Sequence, residues 1–147
     1  MLPPQLRRRF LKMLAGSALT GRSAGCAGAG YTPSPEGLIA GGAESALAVD
    51  SLMVLSSAAV ALARDQAGIY AMTLYCTHAG CDMAVSGSVS ITGIVCYCHG
   101  SEFDANGTVL HGPAPAPLEH FAVSIDAAGE ITIDTNTTVL SSTRTPA

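Results

Sequence analysis

Four of the five cysteines and two of the four histidines of this chain fall between residues 76 and 101. They form two similar groups, which read Cys76-Thr77-His78-Ala79-Gly80-Cys81 and Cys96-Tyr97-Cys98-His99-Gly100-Ser101. Each group offers one cysteine and one histidine, plus an additional cysteine. Thiolates and imidazoles are ligands of zinc and of other transition metals. The sequence therefore predicts a metal site assembled from two loops, with two further sulfurs beside it.

The ligand types alone leave the metal open. A tetrahedral zinc site also accepts two cysteines and two histidines, which would make the chain a zinc-stapled binding module without redox chemistry. Covalent haem attachment requires Cys-x-x-Cys-His, and the run from Cys96 to His99 is one residue short of it. The sequence also lacks the Cys-x-x-Cys pair of thioredoxin-like proteins. Neither of these last two functions is expected.

The composition indicates a single all-β domain. The chain has 147 residues, enough to bury a core once its ends are set aside. It contains 16 glycines and 8 prolines but no tryptophan, which favours turns and small side chains over large helical faces. Short apolar runs typical of strands cover residues 49–55, 59–63, 69–75, 88–95, 109–110, 121–125 and 131–133. Turns are predicted at residues 65–68, 106–107 and 126–129.

Charge is distributed unevenly along the chain. Five of the seven basic residues precede residue 23, whereas all eleven acidic residues follow it. Residues 23–147 therefore carry a net charge of −9. A body of this charge would be repelled by phosphate backbones and by anionic lipid. We expect no nucleic-acid partner and favour a protein partner with a basic surface.

The first 26 residues are predicted to be an export leader. Arg7 and Arg8 are followed, after one residue, by Phe10-Leu11-Lys12, a spacing that resembles a twin-arginine signal. The apolar stretch at residues 13–21 is too short to cross about 30 Å of hydrocarbon, which takes about 20 residues. Cys26 could carry a lipid or could be an unpaired thiol. We expect a periplasmic protein that meets the membrane only through its leader or through lipid on Cys26.

The remaining chain divides by composition into three parts. Residues 27–47 are rich in glycine and proline and poor in large apolar groups, so they are predicted to be a flexible linker. The folded domain is expected over residues 48–135. Residues 136–147 are rich in threonine and serine and are predicted to be a disordered tail.

The two cysteine groups resemble the boxes of Rieske iron–sulfur proteins of quinol-oxidising cytochrome complexes, Cys-Thr-His-x-Gly-Cys and Cys-x-Cys-His-Gly-Ser. A further stretch resembles the family's proline loop, which covers the cluster; it reads Gly112-Pro113-Ala114-Pro115-Ala116-Pro117-Leu118. The resemblance covers about residues 48–134. It implies a Rieske fold, an antiparallel sheet sandwich with a cluster-binding subdomain built from two loops.

The resemblance also implies a cofactor, one [2Fe–2S] cluster per subunit. Cys76 and Cys96 would bind one iron, and His78 and His99 would bind the other through ring nitrogens. Replacing two thiolates by imidazoles removes negative charge and raises the reduction potential.

Other residues are assigned by the same resemblance. The Ser101 hydroxyl would donate a hydrogen bond to a bridging sulfide. Cys81 and Cys98 would form a disulfide between the two loops, which an oxidising compartment permits. Phe103 is a departure, because quinol-oxidising relatives usually carry there a tyrosine that hydrogen-bonds a cysteine sulfur. Without that hydroxyl, a very high potential is not expected.

The expected function is one-electron transfer. The chain would be a small periplasmic carrier or the iron–sulfur subunit of a quinol-oxidising or other respiratory oxidoreductase. Its partner would be a redox protein, either a cytochrome of the c type or a quinol-oxidising complex. Independent catalysis is not expected, and no catalytic residue is predicted. Outside the ligands, Tyr97 and Phe103 are expected to pack beneath the cluster loops, and His111 and His120 to be ordinary histidines of a loop or strand edge.

Overall fold

The computed structural model describes residues 36–147 and folds them into two antiparallel β-sheets. Its strands are β1 (Leu38–Ala43), β2 (Ser51–Leu55), β3 (Val60–Asp65), β4 (Gly68–Thr73), β5 (Gly87–Ser90), β6 (Gly93–Cys96), β7 (Ser101–Phe103), β8 (Val109–His111), β9 (His120–Ile125) and β10 (Glu130–Val139). A single 3₁₀ turn, Glu44–Ala46, follows β1. Within the described residues, no helix is long and apolar enough to cross a membrane. The predicted all-β fold is confirmed.

The two sheets differ in size and in what they carry. The larger sheet has the strand order β1-β10-β9-β4-β3-β2, and the smaller one has the order β5-β6-β7-β8. One cysteine group lies in the loop between β4 and β5, and the other spans the connection from β6 to β7. The smaller sheet and these two loops form the predicted cluster-binding subdomain.

The core is divided between the two faces of the larger sheet. Along β3, Val60 and Leu62 join one apolar cluster, whereas Ala61 and Ala63 join the other, as the two-residue period of a strand requires. The cluster with the alanines also contains apolar residues of the smaller sheet and the thiols of the metal loops. On this face, the small side chains of Ala61 and Ala63 leave room for the cluster-binding subdomain to pack against the larger sheet.

The predicted hairpin turns are confirmed. Asp65 Oδ1 accepts hydrogen bonds from the backbone N–H groups of Ala67 and Gly68, at 2.8 and 3.1 Å, where β3 turns into β4. Asp126 Oδ1 accepts two such bonds, at 2.8 and 3.0 Å, in the turn between β9 and β10. Aspartate stabilises these turns because its short side chain substitutes for a backbone acceptor.

Residues 88–95 were predicted as one strand and instead form a hairpin of β5 and β6. Ser90 Oγ donates to the carbonyl of Gly93 at 3.1 Å and accepts the backbone N–H of Thr92 at 3.3 Å. Gly93 has a φ of 152°, which disfavours any residue with a side chain. The turn is therefore closed by the hydroxyl of Ser90. A serine within an apolar run is only a weak sequence signal for a turn, so the run was predicted as one strand.

The linker was predicted over residues 27–47, but β1 lies within it at Leu38–Ala43. The predicted end of the linker at residue 47 is therefore wrong. β1 pairs with β10 along the edge of the larger sheet. A side chain at Gly41 would place its Cβ 2.7 Å from Ile131 Cγ2, and the pairing register shifts between Ala40 and Gly42. The glycines thus reflect close packing and a bulge rather than flexibility.

The predicted disordered tail, residues 136–147, is also wrong. Its first residues continue β10, and Thr145 exchanges two backbone hydrogen bonds of 2.8 Å with Ile69. Arg144 contacts Asp65 through its Nε at 2.6 Å and donates from Nη2 to Asn106 Oδ1 at 2.8 Å. Burial opposes ionisation of Asp65, yet bonds from Arg144 and the turn amides outweigh it and hold its pKa below the ordinary value. The predicted leader lies outside the described residues.

Candidate metal centre

The two cysteine groups fold into loops with the same local geometry. In the first loop, the carbonyl of Cys76 accepts the backbone N–H of Gly80 at 2.8 Å. In the second loop, the carbonyl of Cys96 accepts the N–H of Gly100 at 3.0 Å. The glycines have φ values of 70° and 76°, in the left-handed region that other residues rarely adopt. The shared spacing of cysteine and glycine is therefore a requirement of the turn that presents each histidine.

The thiols of Cys76 and Cys96 lie inside the molecule. Each residue is 1% exposed, and neither forms a disulfide with another described cysteine. The pKa of the Cys96 thiol is raised above its ordinary value, mainly by burial and further by the neighbouring Cys76 thiol. A hydrogen bond from the backbone N–H of Cys98 lowers it in part. Two thiolates this close repel each other unless a cation lies between them. A metal ion bound by both sulfurs would remove this repulsion and let both thiols lose their protons, since coordinated thiols are deprotonated.

The histidines of the two loops meet at the surface. The ring centroids of His78 and His99 are 4.7 Å apart, with an angle of 84° between the planes. His78 is half-buried and His99 is exposed. Nδ1 of His78 is buried and finds no hydrogen-bond partner among residues 36–147. A buried ring nitrogen without a partner is costly, and a metal bond would satisfy it.

Cys81 and Cys98 form a disulfide that joins the two loops. The sulfurs of Cys81, Cys96 and Cys98 all lie within 4.8 Å of one another. Because two of them are bonded to each other, this group is not a three-thiolate metal site. The disulfide instead holds the first loop, through Cys81, directly beside the buried Cys96 thiol of the second loop.

Ser101 and the proline loop complete the site. Ser101 is fully buried, and its Oγ accepts the backbone N–H of Ala114 at 3.2 Å, so its own proton is available for another acceptor. Thr77 Oγ1 donates to the carbonyl of Ala116 at 2.6 Å. At Gly112, a Cβ would lie 2.6 Å from the carbonyl oxygen of Gly100. The proline loop therefore contacts both metal loops.

The other predicted residues have mixed outcomes. Phe103 is buried among the residues that pack with the thiols, as expected, whereas Tyr97 is 67% exposed and does not pack beneath the loops. His111 is exposed at the end of β8. His120 is only 2% exposed, so the prediction of an ordinary edge histidine is wrong. Nothing in the sequence indicated this burial, because the two-residue period of a strand places a residue next to buried Phe121 on the opposite face.

The donor set fits a mixed-ligand iron–sulfur cluster. Two buried thiols and two adjacent imidazoles converge from two loops, a serine hydroxyl is free to donate, and a disulfide holds the loops together. A third loop, with no N–H at its three prolines, contacts both metal loops.

Comparison with known proteins agrees with this geometry. Residues 44–122 match the family model of the Rieske [2Fe-2S] domain. The chain is 44% identical over 61 residues to the cytochrome b6-f complex iron-sulfur subunit of Cyanothece sp., covering 40% of this chain and 33% of that protein. It is 40% identical over 62 residues to the same subunit of a Synechococcus strain, covering 42% and 34%. The chain thus matches about a third of the length of these relatives.

A solved structure shows the same fold. It is a complex of reduced oxygenase and oxidized ferredoxin in carbazole 1,9a-dioxygenase, with a TM-score of 0.50, 24% identity, and coverage of 70% of this chain and 96% of that one. The family itself is settled by the matched domain model, which covers more than half of the chain. The chain belongs to the Rieske family and carries a [2Fe–2S] cluster.

Proposed function

We propose that this chain is a periplasmic one-electron carrier in which Cys76 and Cys96 bind one iron and His78 and His99 bind the other. The observation that carries the proposal is the division of donors between two loops, with both thiols buried and both imidazoles adjacent at the surface. The bound cluster would supply a one-electron iron couple. The protein's part is to shield the thiolate side from water and to leave the imidazole side accessible to a partner.

The charge of the folded domain supports a redox partner with a basic surface. Residues 36–147 contain eleven acidic residues but only Arg64 and Arg144 as basic ones. Both arginines are already paired, Arg64 with Glu44 at 3.6 Å and Arg144 with Asp65 at 2.6 Å. The rest of the surface is acidic, which would accelerate association with a basic protein at low salt. The curated relatives favour a complex subunit over a freestanding carrier.

Spectroscopy and electron transfer test this function together. The purified protein should show the electron paramagnetic resonance spectrum of a mixed-ligand [2Fe–2S] cluster when reduced. Its oxidation by a basic cytochrome c should slow as ionic strength rises, because the Debye length falls to about 10 Å at 0.1 M salt. A colourless protein with stoichiometric zinc would overturn the proposal. An oxidation rate that does not change with salt would contradict a partner with a basic surface.

We also propose export by the twin-arginine route, which carries folded cofactor proteins. Changing Arg7 and Arg8 together to lysine keeps the charge but removes the paired arginines. The variant should remain in the cytoplasm, and cell fractionation with an antibody would measure this. Changing Arg9 and Arg22 to lysine is the matched control and should leave export intact. Equal export of both variants would contradict the twin-arginine assignment.

Phe103 provides a prediction about the reduction potential. Its ring is buried in the apolar cluster that includes Cys76 and Cys96. A tyrosine hydroxyl at this position should donate to a ligand sulfur and favour the reduced, more negative cluster. Phe103→Tyr should therefore raise the midpoint by tens of millivolts, where about 59 mV is a tenfold change in a one-electron equilibrium.

Protein-film voltammetry would measure this shift. Tyr97→Phe is the control, because that hydroxyl is on an exposed ring and its removal should leave the midpoint unchanged. A Phe103→Tyr protein that loses stability without a change in midpoint would show that the new hydroxyl reaches no sulfur.

A further inference from the structure

His120 is a buried histidine with a defined proton position. Its Nδ1 lies 3.2 Å from the carbonyl oxygen of Leu118. A carbonyl can only accept, so Nδ1 must carry the proton in this bond. Nε2 is buried and has no partner among the described residues. Burial lowers the pKa of His120, the Leu118 carbonyl raises it, and Arg144 lowers it more than Asp104 raises it. Together these causes hold the pKa of His120 below its ordinary value, so the ring is neutral at pH 7.

Two other side chains hold the His120 ring in place. It stacks on the Tyr70 ring, with centroids 5.9 Å apart and planes 22° from parallel. Tyr70 donates its hydroxyl to the carbonyl of Ala105 at 3.0 Å. The guanidinium of Arg144 lies 3.8 Å from the Tyr70 ring centroid, a cation–π contact. We call His120, Tyr70 and Arg144 the aromatic stack; it joins the C-terminal segment, the larger sheet and the cluster-binding subdomain.

The stack contacts the proline loop at its last residue. The loop makes few backbone bonds of its own because three of its seven residues are prolines. Ala114 and Ala116 attach it to Ser101 and Thr77 of the metal loops. The third attachment is Leu118, whose N–H donates to the Gly107 carbonyl at 2.9 Å and whose carbonyl accepts from His120. Of these, the bond to His120 comes from the larger sheet, and the next residue, Glu119, is also tied there, because its carbonyl accepts the N–H of Thr73 on β4 at 2.9 Å.

We propose that His120 is a positioning residue that fixes the proline loop over the cluster through its Nδ1–H bond to Leu118. Without this bond, the loop end would keep the bond of the Glu119 carbonyl to Thr73 of β4, but nothing from the larger sheet would hold the Leu118 carbonyl. The loop before it could then move more freely together with the metal loops. Stacking on Tyr70 keeps the His120 ring from turning away from Leu118. Because the His120 ring is neutral, no buried charge needs solvation. Cluster retention would then depend on a residue that is not a ligand.

Two substitutions separate the hydrogen bond from packing. His120→Phe keeps a ring that can stack on Tyr70 but has no donor for Leu118. His120→Asn loses the ring, yet its amide can donate from about the position of Nδ1. His111→Phe is the matched control, because His111 is an exposed histidine on β8.

Amide hydrogen exchange and cluster release test the proposal on the cluster-loaded protein. His120→Phe should raise exchange in a peptide spanning residues 112–119 by about threefold to tenfold, the range expected for one lost hydrogen bond. It should accelerate cluster loss to a chelator, while His120→Asn restores much of both properties and His111→Phe changes neither. Exchange in the peptide equal to wild type in His120→Phe, or raised equally in every peptide, would overturn the proposal.

The cluster-release readout rests on the proposed ligands, whereas the exchange readout does not. A wild type without the mixed-ligand spectrum would defeat the proposed function and leave the loop measurement valid. Unchanged exchange in a protein with the expected spectrum would defeat only the role of His120.

Discussion

Replacing His78 or His99 with alanine is expected to abolish the mixed-ligand spectrum of the reduced cluster. The two rings meet at one edge of the site, 4.7 Å apart, and alanine offers no donor atom in their place. One iron would then lose a protein ligand and become open to solvent. The thiolate iron alone cannot preserve the low average g value, which depends on imidazole ligation of its neighbour.

The measurement is electron paramagnetic resonance of the reduced protein together with its iron content. His111→Ala is the control, because it removes an exposed histidine and should preserve both signal and iron. Full retention of the wild-type spectrum in His78→Ala or His99→Ala would remove that residue from the ligand set. Loss of signal in one variant but not in the other would identify an iron with a different fourth ligand.

The geometry of the two loops at the candidate metal site was largely predictable, because its information is local in the sequence. Each loop contains its own cysteine, histidine and glycine, and the glycine must stand four residues after the cysteine to close the turn. Such a requirement depends on no distant residue. The hairpin turns at Asp65 and Asp126 were predictable for the same reason, since each carboxylate bonds to amides within four residues.

The edges of the domain were not predictable, because distant pairings create them. β1 is ordered by β10, which lies about ninety residues further along the chain. Arg144 is held by Asp65, Asn106 and the Tyr70 ring, none of them near it in sequence. Local composition at both ends resembles linker and tail, so tertiary contacts override it. The burial of His120 follows from the same long-range packing.

The disulfide was assigned by resemblance, and the structure contains it, but its energetic role can be argued separately. Cys81 belongs to the loop after β4 and Cys98 to the loop between β6 and β7. The two residues are 17 apart in sequence. In the chain-entropy model, a bridge across such a loop contributes about 3 kcal/mol, a factor on the order of 100 in an equilibrium. Few other described bonds connect the two loops directly.

Removing both sulfurs, as Cys81→Ser with Cys98→Ser, should therefore yield a protein that incorporates less iron and releases its cluster at least about tenfold faster. A single substitution is less informative, because the freed thiol would lie within 4.8 Å of Cys96 Sγ and could compete for iron. Chelator-induced loss of visible absorbance measures the rate, and Cys26→Ser is the control from outside the two loops. A double variant that keeps its cluster as long as wild type would show that the backbone bonds and the proline loop suffice to hold the loops together.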